Sequence, residues 1–461
     1  MTSQIVPQHA AKTSFSNFHG VHLPNKPPNS LWNLSCKDGL ISEISEYEAD
    51  AKSQPDGRFV APSLCHPHIH LDKCFLLSHE KYADLEIEKG DFAEALSLTN
   101  EAKARFEHDD LVERGAALIE ESIGFGVTSM RAYVEVDATV GMVCLHAGLV
   151  LKEQFRERCY VQICVFAQDP IFTYDDGGVS MRSLLEKALQ KPGVEAFGCT
   201  PYVEEGVSAF EGSFGRNLEH NIKWTIAMAM IHNLHLDFHI DYNLDPIQKV
   251  SIYTALDNLK AASWPTTTQK ELRTVVFGHC TRLTLFTADE WRSLRERVGV
   301  LPVSFVGLPT SDLFMMGRKS GEGEERVRGT LRIPQMIQTF GFNAAIGINN
   351  VGNAFTPYGS CDPVSLAGFC VGVYQAGTKA DAEVLYQCVS GRAKMAIGVL
   401  PWDESSSKLE LKVGNRADFV AFGRKSGGGV DSIRARKSIQ NVVNDAGHER
   451  ETIYVGTITS P

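Results

Sequence analysis

The stretch FVAPSLCHPHIHLDKC, residues 59–74, passes from an apolar, β-rich run into a cluster of histidines. Its first nine residues, 59–67, have the length and composition of a buried strand. His68 and His70 follow at i, i+2, so on an extended backbone both rings point to one face, about 6–7 Å apart by strand rise. Two neutral imidazoles placed in this way can converge on one cation. His66 lies one step earlier in the same series, and periodicity alone leaves it a competing ligand. A lone pair of this kind suits a satisfied surface feature as well as it suits a site. Its position at a strand's C-terminal end is what makes the fold decisive, because that is where the active sites of parallel barrels lie.

Outward from this stretch, seven more short β-rich runs alternate with longer amphipathic ones. They are GVTSMRAYVEV (126–136), YVQICVFAQ (160–168), VEAFGCTPYV (194–203), LHLDFHI (234–240), LRTVVFGHC (272–280), VGVLPVSFVGL (298–308) and FNAAIGI (342–348). The intervening DDLVERGAALIEESIGFG places Leu111, Leu118, Ile119 and Ile123 at helical spacing, with Gly124 and Gly126 as stop signals. SMRSLLEKALQK, NLEHNIKWTIAMAMIHN and TADEWRSLRERVG read as further helices. Eight buried-type strands alternating with helices predict an α/β fold, a (β/α)₈ TIM barrel, with a long doubly wound sheet as the alternative.

The chain ends read differently. SLWNLSCKDGLISEISEY is strand, Asp-Gly turn and strand, a hairpin signal, and KLELKVGNRADFVAFGR (408–424) and RETIYVGTIT (450–459) again suggest short strands. The predicted division is a small composite β domain from residues 1–58 plus 400–461 and a metal-binding catalytic barrel over 59–399. KSGGGVDSIRARKS and SGEGEERVRG (320–329) read as surface loops.

Of 461 residues, 43% are hydrophobic and 22% charged, enough for a large packed core. The net charge of −11 argues against a general nucleic-acid or anionic-membrane binder. Eleven cysteines lack CxxC pairing, so neither a zinc ribbon nor a disulfide framework is suggested. No signal peptide or 18-residue apolar run is evident, and a cytoplasmic setting is the simplest expectation. Cys65 and Cys74 flank the histidine pair and read as structural.

Three further strand ends carry polar groups: His239 in LDFHIDYNLD, His279 in VVFGHCTRL, and Asn349 and Asn350 in GINNVGNAFTP. Each histidine alone reads first as a core or loop residue. Together with His68 and His70 they would all meet at one barrel mouth. Imidazole-rich ligation suits one divalent ion, zinc or iron, able to acidify a bound water.

HPHIHLD, FHID, GHCT and GINNVGNAFTPYG, in this order, resemble the amidohydrolase superfamily, and most its cytosine deaminase branch. The resemblance covers nearly the whole chain, including LWNLSCKDGLISEI and SGRAKMAIGV through VGNRADFVAFG, which are similar to the superfamily's composite β domain and post-barrel segment. It implies His68, His70 and His239 as metal ligands, which sets His66 aside. It implies His279 beside substrate and water, and Gln168 bonded to the substrate ring. Asn349 falls where the branch has an aspartate that touches the metal and accepts a proton from water. Asn350 falls where cytosine deaminase has a second aspartate, and Tyr242 where a glutamate shuttles protons. An amide can offer a metal its oxygen but cannot act as a base at neutral pH.

Asp241 shares the parity of His239 and is the nearest substitute acid/base, although capping the next helix is an equal expectation. Tyr242 can donate a phenolic hydrogen bond to a substrate carbonyl. Asp72 reads as a group behind the site. The implied activity is a hydrolase of a C–N bond in a small cyclic amide or amine, with a small-molecule substrate and compatible with a homo-oligomer. The Asn349 and Tyr242 departures leave a lyase, cyclase or isomerase as the alternative, and a non-catalytic metal-binding homologue as the second.

Overall fold

In the eight central strands, side chains alternate between a helix-facing apolar layer and a barrel interior. The computed structural model describes residues 15–27, 29–49, 54–205, 216–265, 272–318, 328–424 and 435–460. Three strands open the chain: β1 (Phe15–Val21), β2 (Trp32–Lys37) and β3 (Leu40–Glu46). β4 (Phe59–Pro62) follows, then the barrel strands β5 (Leu64–His70), β6 (Val127–Glu135), β7 (Tyr160–Ala167), β8 (Val194–Cys199), β9 (His235–Ile240), β10 (Val275–His279), β11 (Val303–Gly307) and β12 (Asn343–Ile346). β13 (Phe419–Phe422), β14 (Arg450–Tyr454) and β15 (Thr457–Ile458) end it.

β5 to β12 form one eight-stranded parallel sheet in chain order, with helices between. The sheet is closed by the residue after β12's end loop: Asn349 N–H donates to His68 O (3.1 Å) and His70 N–H to Asn349 O (2.8 Å). The expected (β/α)₈ barrel is therefore present. Met130, Ala132 and Val134 of β6 join the large outer core with Leu118, Ile119 and Ile123 of the helix His108–Gly124. The alternate residues Arg131 and Tyr133 reach Asp237 on β9, three strands away, which puts them inside.

The run 59–67 is two strands rather than one. β4 pairs antiparallel with β13 in the four-stranded sheet β15-β14-β13-β4, and only β5 enters the barrel. Asp38 (φ 53°) and Gly39 (φ 78°) make the two-residue turn between β2 and β3, both in the left-handed region that a hairpin turn of the right twist needs. Residues 408–413 are irregular where a strand was expected. Phe18, Val21, Leu34 and Ile41 share one core with Val60, Ala417, Phe419 and Ile453, so residues from both chain ends bury the same apolar faces. The segments 320–329 and 425–438 fall mostly outside the described residues. Among the described residues no helix is long and apolar enough to cross a membrane.

Candidate active site

β5 does not keep its alternation. Its register against β6 shifts between His66 and Ile69, and this bulge puts His66 on the helix side, where Nε2 meets Ser122 Oγ at 3.1 Å. Ser122 Oγ donates to Leu118 O (2.7 Å), so His66 is the donor of that pair. Past the bulge, His68 and His70 both face inward. With His239 at the end of β9 they form a buried triad whose ligand atoms all lie within 4.8 Å of one another. The rings pack closely, with His68 and His239 centroids 4.4 Å apart. Gly278 on β10 makes room for this: a Cβ there would stand 3.0 Å from His68 Cε1.

All three imidazoles are held neutral. Burial lowers the pKa of each well below its ordinary value, and nearby His68, His70, His279 or Lys73 adds to the effect. Tyr133 O–H donates to Asp237 Oδ2 (2.6 Å) and so can only accept from His68 Nδ1 (3.0 Å). That fixes the proton on Nδ1 and leaves the Nε2 lone pair free. Arg131 donates to the same Asp237 oxygen (3.0 Å) and to Gln162 Oε1 (2.7 Å), anchoring the chain in the barrel floor. His68 Nε2, His70 Nδ1, His239 Nε2 and Asn349 Oδ1 are buried polar atoms without a hydrogen-bond partner. Three ring nitrogens within 4.8 Å of one another, left without partners beside an unpaired amide oxygen in the same cavity lining, are costly unless a cation takes them up, so these residues fit a divalent metal.

Asn349 sits in the left-handed region (φ 68°), as do Asp241 (52°), His279 (63°) and Cys280 (47°), all at strand ends around the mouth. Such backbone strain gathers at functional sites. Asn349 Nδ2 donates to Ser311 Oγ (2.9 Å), which turns Oδ1 the other way. His279 donates from Nδ1 to Asp312 Oδ1 (2.9 Å), and Asp312 Oδ2 accepts from Thr330 Oγ1 (2.8 Å) and Leu308 N–H (3.2 Å). The Tyr242 ring lies 3.9 Å from that of His279, tilted 38°. Burial, then the charge of Asp312, raises the Tyr242 hydroxyl well above its ordinary pKa and keeps it a proton donor.

Asp241 turns its carboxylate toward the next helix, not toward the histidine triad. Its Oδ1 accepts from Ser251 N–H (2.7 Å) and its Oδ2 from Ile252 N–H (3.0 Å), at the start of the helix Ile252–Ala261. The positive φ at Asp241 ends the strand alternation on which the catalytic expectation relied, and the carboxylate caps the next helix instead.

Gln168, Asn350, Lys73 and Tyr242 line one cavity with His70, His239, His279 and Asn349. It measures about 30 Å³, room for about one water, and Phe92, Tyr202 and Phe355 complete its lining. Lys73 donates to Gln168 Oε1 (3.2 Å) and pairs with Glu135. Glu135 also meets Lys103 (2.7 Å), which reaches Asp137 (2.6 Å) and Asp169 (3.6 Å). Burial acts to raise Glu135, but Lys103 and Lys73 outweigh it and hold the carboxyl low. Asp72 stands behind the site, accepting from Glu135 N–H (2.6 Å). Burial pushes the Cys65 thiol up to about 11 and that of Cys74 to about 12, in keeping with structural cysteines.

Reasoning from sequence missed Lys73, Tyr133, Asp237, Ser311 and Asp312. Lys73 lies inside HPHIHLDKC, and Asp237 is two residues before His239 at the same parity, so both had a local signal. Asp312, on the helix Pro309–Met315 after β11, had none.

No protein-family model matches the chain. It is 20% identical over 403 residues to the N-isopropylammelide isopropyl amidohydrolase of Pseudomonas sp. strain ADP, covering 84% of this chain and 85% of that one. The fold is similar to 5-methylcytosine deaminase from Klebsiella pneumoniae liganded with 5-fluorocytosine (TM-score 0.77, 18% identity, 96% of this chain and 97% of that one). It is also similar to N-isopropylammelide isopropylaminohydrolase from Burkholderia multivorans (TM-score 0.71, 19% identity, 96% and 98%).

Proposed function

We propose, from the premise that this chain is a cytosine deaminase-like protein of the amidohydrolase superfamily, that it hydrolyses a C–N bond of a small nitrogen heterocycle with the help of one divalent metal. The observation that carries this reading is the convergence, in one barrel mouth, of three neutral imidazoles, each with one buried ring nitrogen lacking a hydrogen-bond partner, and a His279–Asp312 pair. The similar proteins named above, whose names describe removal of amino or alkylamino groups from rings, support it.

In this reading His68, His70 and His239 hold the ion, zinc or iron, with Asn349 Oδ1 as the oxygen donor. The ion supplies Lewis acidity, which acidifies water at neutral pH. His279 has Nδ1–H committed to Asp312, so Nε2 carries the lone pair that takes a proton from the attacking water and returns it to the leaving nitrogen. Asp312 keeps that tautomer and orientation. Tyr242 packs on the His279 ring and donates its hydroxyl to the substrate. Gln168 and Asn350 orient the ring, and Phe92 and Phe355 exclude bulk water.

The test is metal analysis of gently purified protein together with amine and ammonia release from a panel of aminated azines. About one metal per chain and release from at least one ring are expected; a metal-free, inert protein overturns the reading. One observation favours a second reading, a lyase, cyclase or isomerase. Asn349 and Tyr242 occupy positions where the resemblance implies carboxylates, so the cavity has fewer bases than hydrolysis ordinarily uses. Turnover of a ring without incorporation of labelled solvent oxygen would select it.

A further inference from the structure

Two amides in the cavity wall have their orientation dictated by partners that cannot exchange roles. The Lys73 ammonium only donates, so the Gln168 atom it meets at 3.2 Å is Oε1, and Gln168 is left with its Nε2 hydrogens. Asn353 is fixed by backbone groups: Oδ1 accepts from Phe355 N–H (3.0 Å) and Thr356 N–H (3.1 Å), while Nδ2 donates to Lys73 O (3.1 Å). The second hydrogen of Asn353 Nδ2 goes to Asn350 at 2.8 Å, so the Asn350 atom there is Oδ1. Asn350 is left with Nδ2. Among the described residues, no protein acceptor meets Gln168 Nε2 or Asn350 Nδ2, and both residues line the cavity. Of the three Lys73 hydrogens, one serves Glu135 and one Gln168, leaving a third. The wall therefore offers an ammonium and two amide groups, all donors.

We propose that this wall selects the acceptor-only edge of an oxo-substituted nitrogen heterocycle in its anionic form, two ring oxygens flanking a deprotonated ring nitrogen, and rejects amino-substituted edges. The proposal rests on the hydrolase reading for the reaction, but its binding claim stands separately. An edge with three acceptors offers a partner to each of these donors, and the remaining ammonium hydrogen makes a stronger bond to an anionic acceptor than to a neutral one. An amino group against this wall would set N–H against N–H and leave donors unpaired in a buried site, the circumstance in which polar sites discriminate most strongly. An aspartate at position 350 would accept from an amino group, whereas the asparagine here, held by Asn353, presents only its N–H.

Calorimetry on the metal-loaded full chain, with cyanurate and melamine as rings of one size and opposite edges, tests this. Wild type is expected to bind cyanurate at least about 100-fold more tightly than melamine. Asn350→Asp is expected to reduce that ratio at least about tenfold, and Gln168→Leu to weaken cyanurate while leaving melamine unchanged. Any direct contact of cyanurate with the metal is common to wild type and Gln168→Leu, which changes no charge, so the change in ratio in that variant reports the wall. Unfolding curves accompany both variants, and should Asn350→Asp not fold, the Gln168→Leu comparison decides. Equal binding of the two rings by wild type, or an unchanged ratio in folded variants, overturns the proposal. Cyanurate preference without hydrolysis of any aminated ring would sustain the wall and sink the hydrolase reading. Hydrolysis with melamine bound as tightly would do the reverse.

Discussion

At the scale of single residues, the site is a set of acceptors and donors whose roles are fixed by what stands behind them. Among the described residues Asp312 bonds to His279 and to groups outside the cavity lining, so its effect on chemistry passes through the imidazole. Asp312→Asn is expected to lower kcat by about 10²–10⁴ while leaving metal content unchanged, as read by steady-state kinetics and elemental analysis. Asn349→Asp restores a carboxylate beside the imidazole triad. If the chain is a hydrolase limited by a missing base, hydrolysis should rise by about 10² or more; a fall in a native non-hydrolytic turnover would instead select the second reading. Asp169 gives the pH prediction. Burial raises it to about 6 from an ordinary 3.8, against the pull of Lys103. The folded state thus keeps a proton that the unfolded chain has lost, and stability falls as pH rises through that window. Asp169→Asn should remove this decline and gain on the order of 1 kcal/mol at pH 7 relative to pH 4, measured by urea unfolding at both.

At the scale of elements, the strand ends do the positioning. The β5 bulge turns His66 out and His68 in, and the open face of β10 at Gly278 receives the His68 ring. Tyr133 on β6 links that ring to Asp237 on β9, so three strands orient one ligand. Tyr133→Phe removes only the hydroxyl, and metal affinity should fall about 10–100-fold by chelator competition, with a near-native fold. The four left-handed residues at the mouth fall where strands stop alternating. Strand parity therefore served for His68, His70 and His239 but not for Asp241. The Asp241 φ of 52° lies beyond what a strand pattern encodes, and its carboxylate found two backbone donors at a helix start ten residues on.

At the scale of the molecule, the barrel gathers its site from residues about 280 positions apart, as the closure between His68 and Asn349 illustrates. Four polar atoms left unpaired in the interior mean that the fold and the ion should stabilise each other. Stripping the metal should lower the thermal midpoint, and zinc or iron at about 100 times its dissociation constant should restore about 2.7 kcal/mol. Unchanged melting on removal and return of the ion would show that these atoms do not hold it. The core shared by Phe18, Leu34, Phe419 and Ile453 ties the first strands to the last, so both ends contribute to the same packed layer.

The sequence by itself determined the eight-strand alternation, the Asp-Gly hairpin and the histidines at strand ends, because a period of two and a turn dipeptide are local properties that the chain carries wherever it goes. It also exposed the amides where a carboxylate was awaited. Only the tertiary structure decided which atom of each side chain faces the cavity. The Tyr133 proton goes to Asp237, the Gln168 oxygen to Lys73 and the Asn350 oxygen to Asn353, and two of these three partners lie 95 or more positions away. A hydrogen bond's direction belongs to both partners, and most of these partners meet only when the barrel closes.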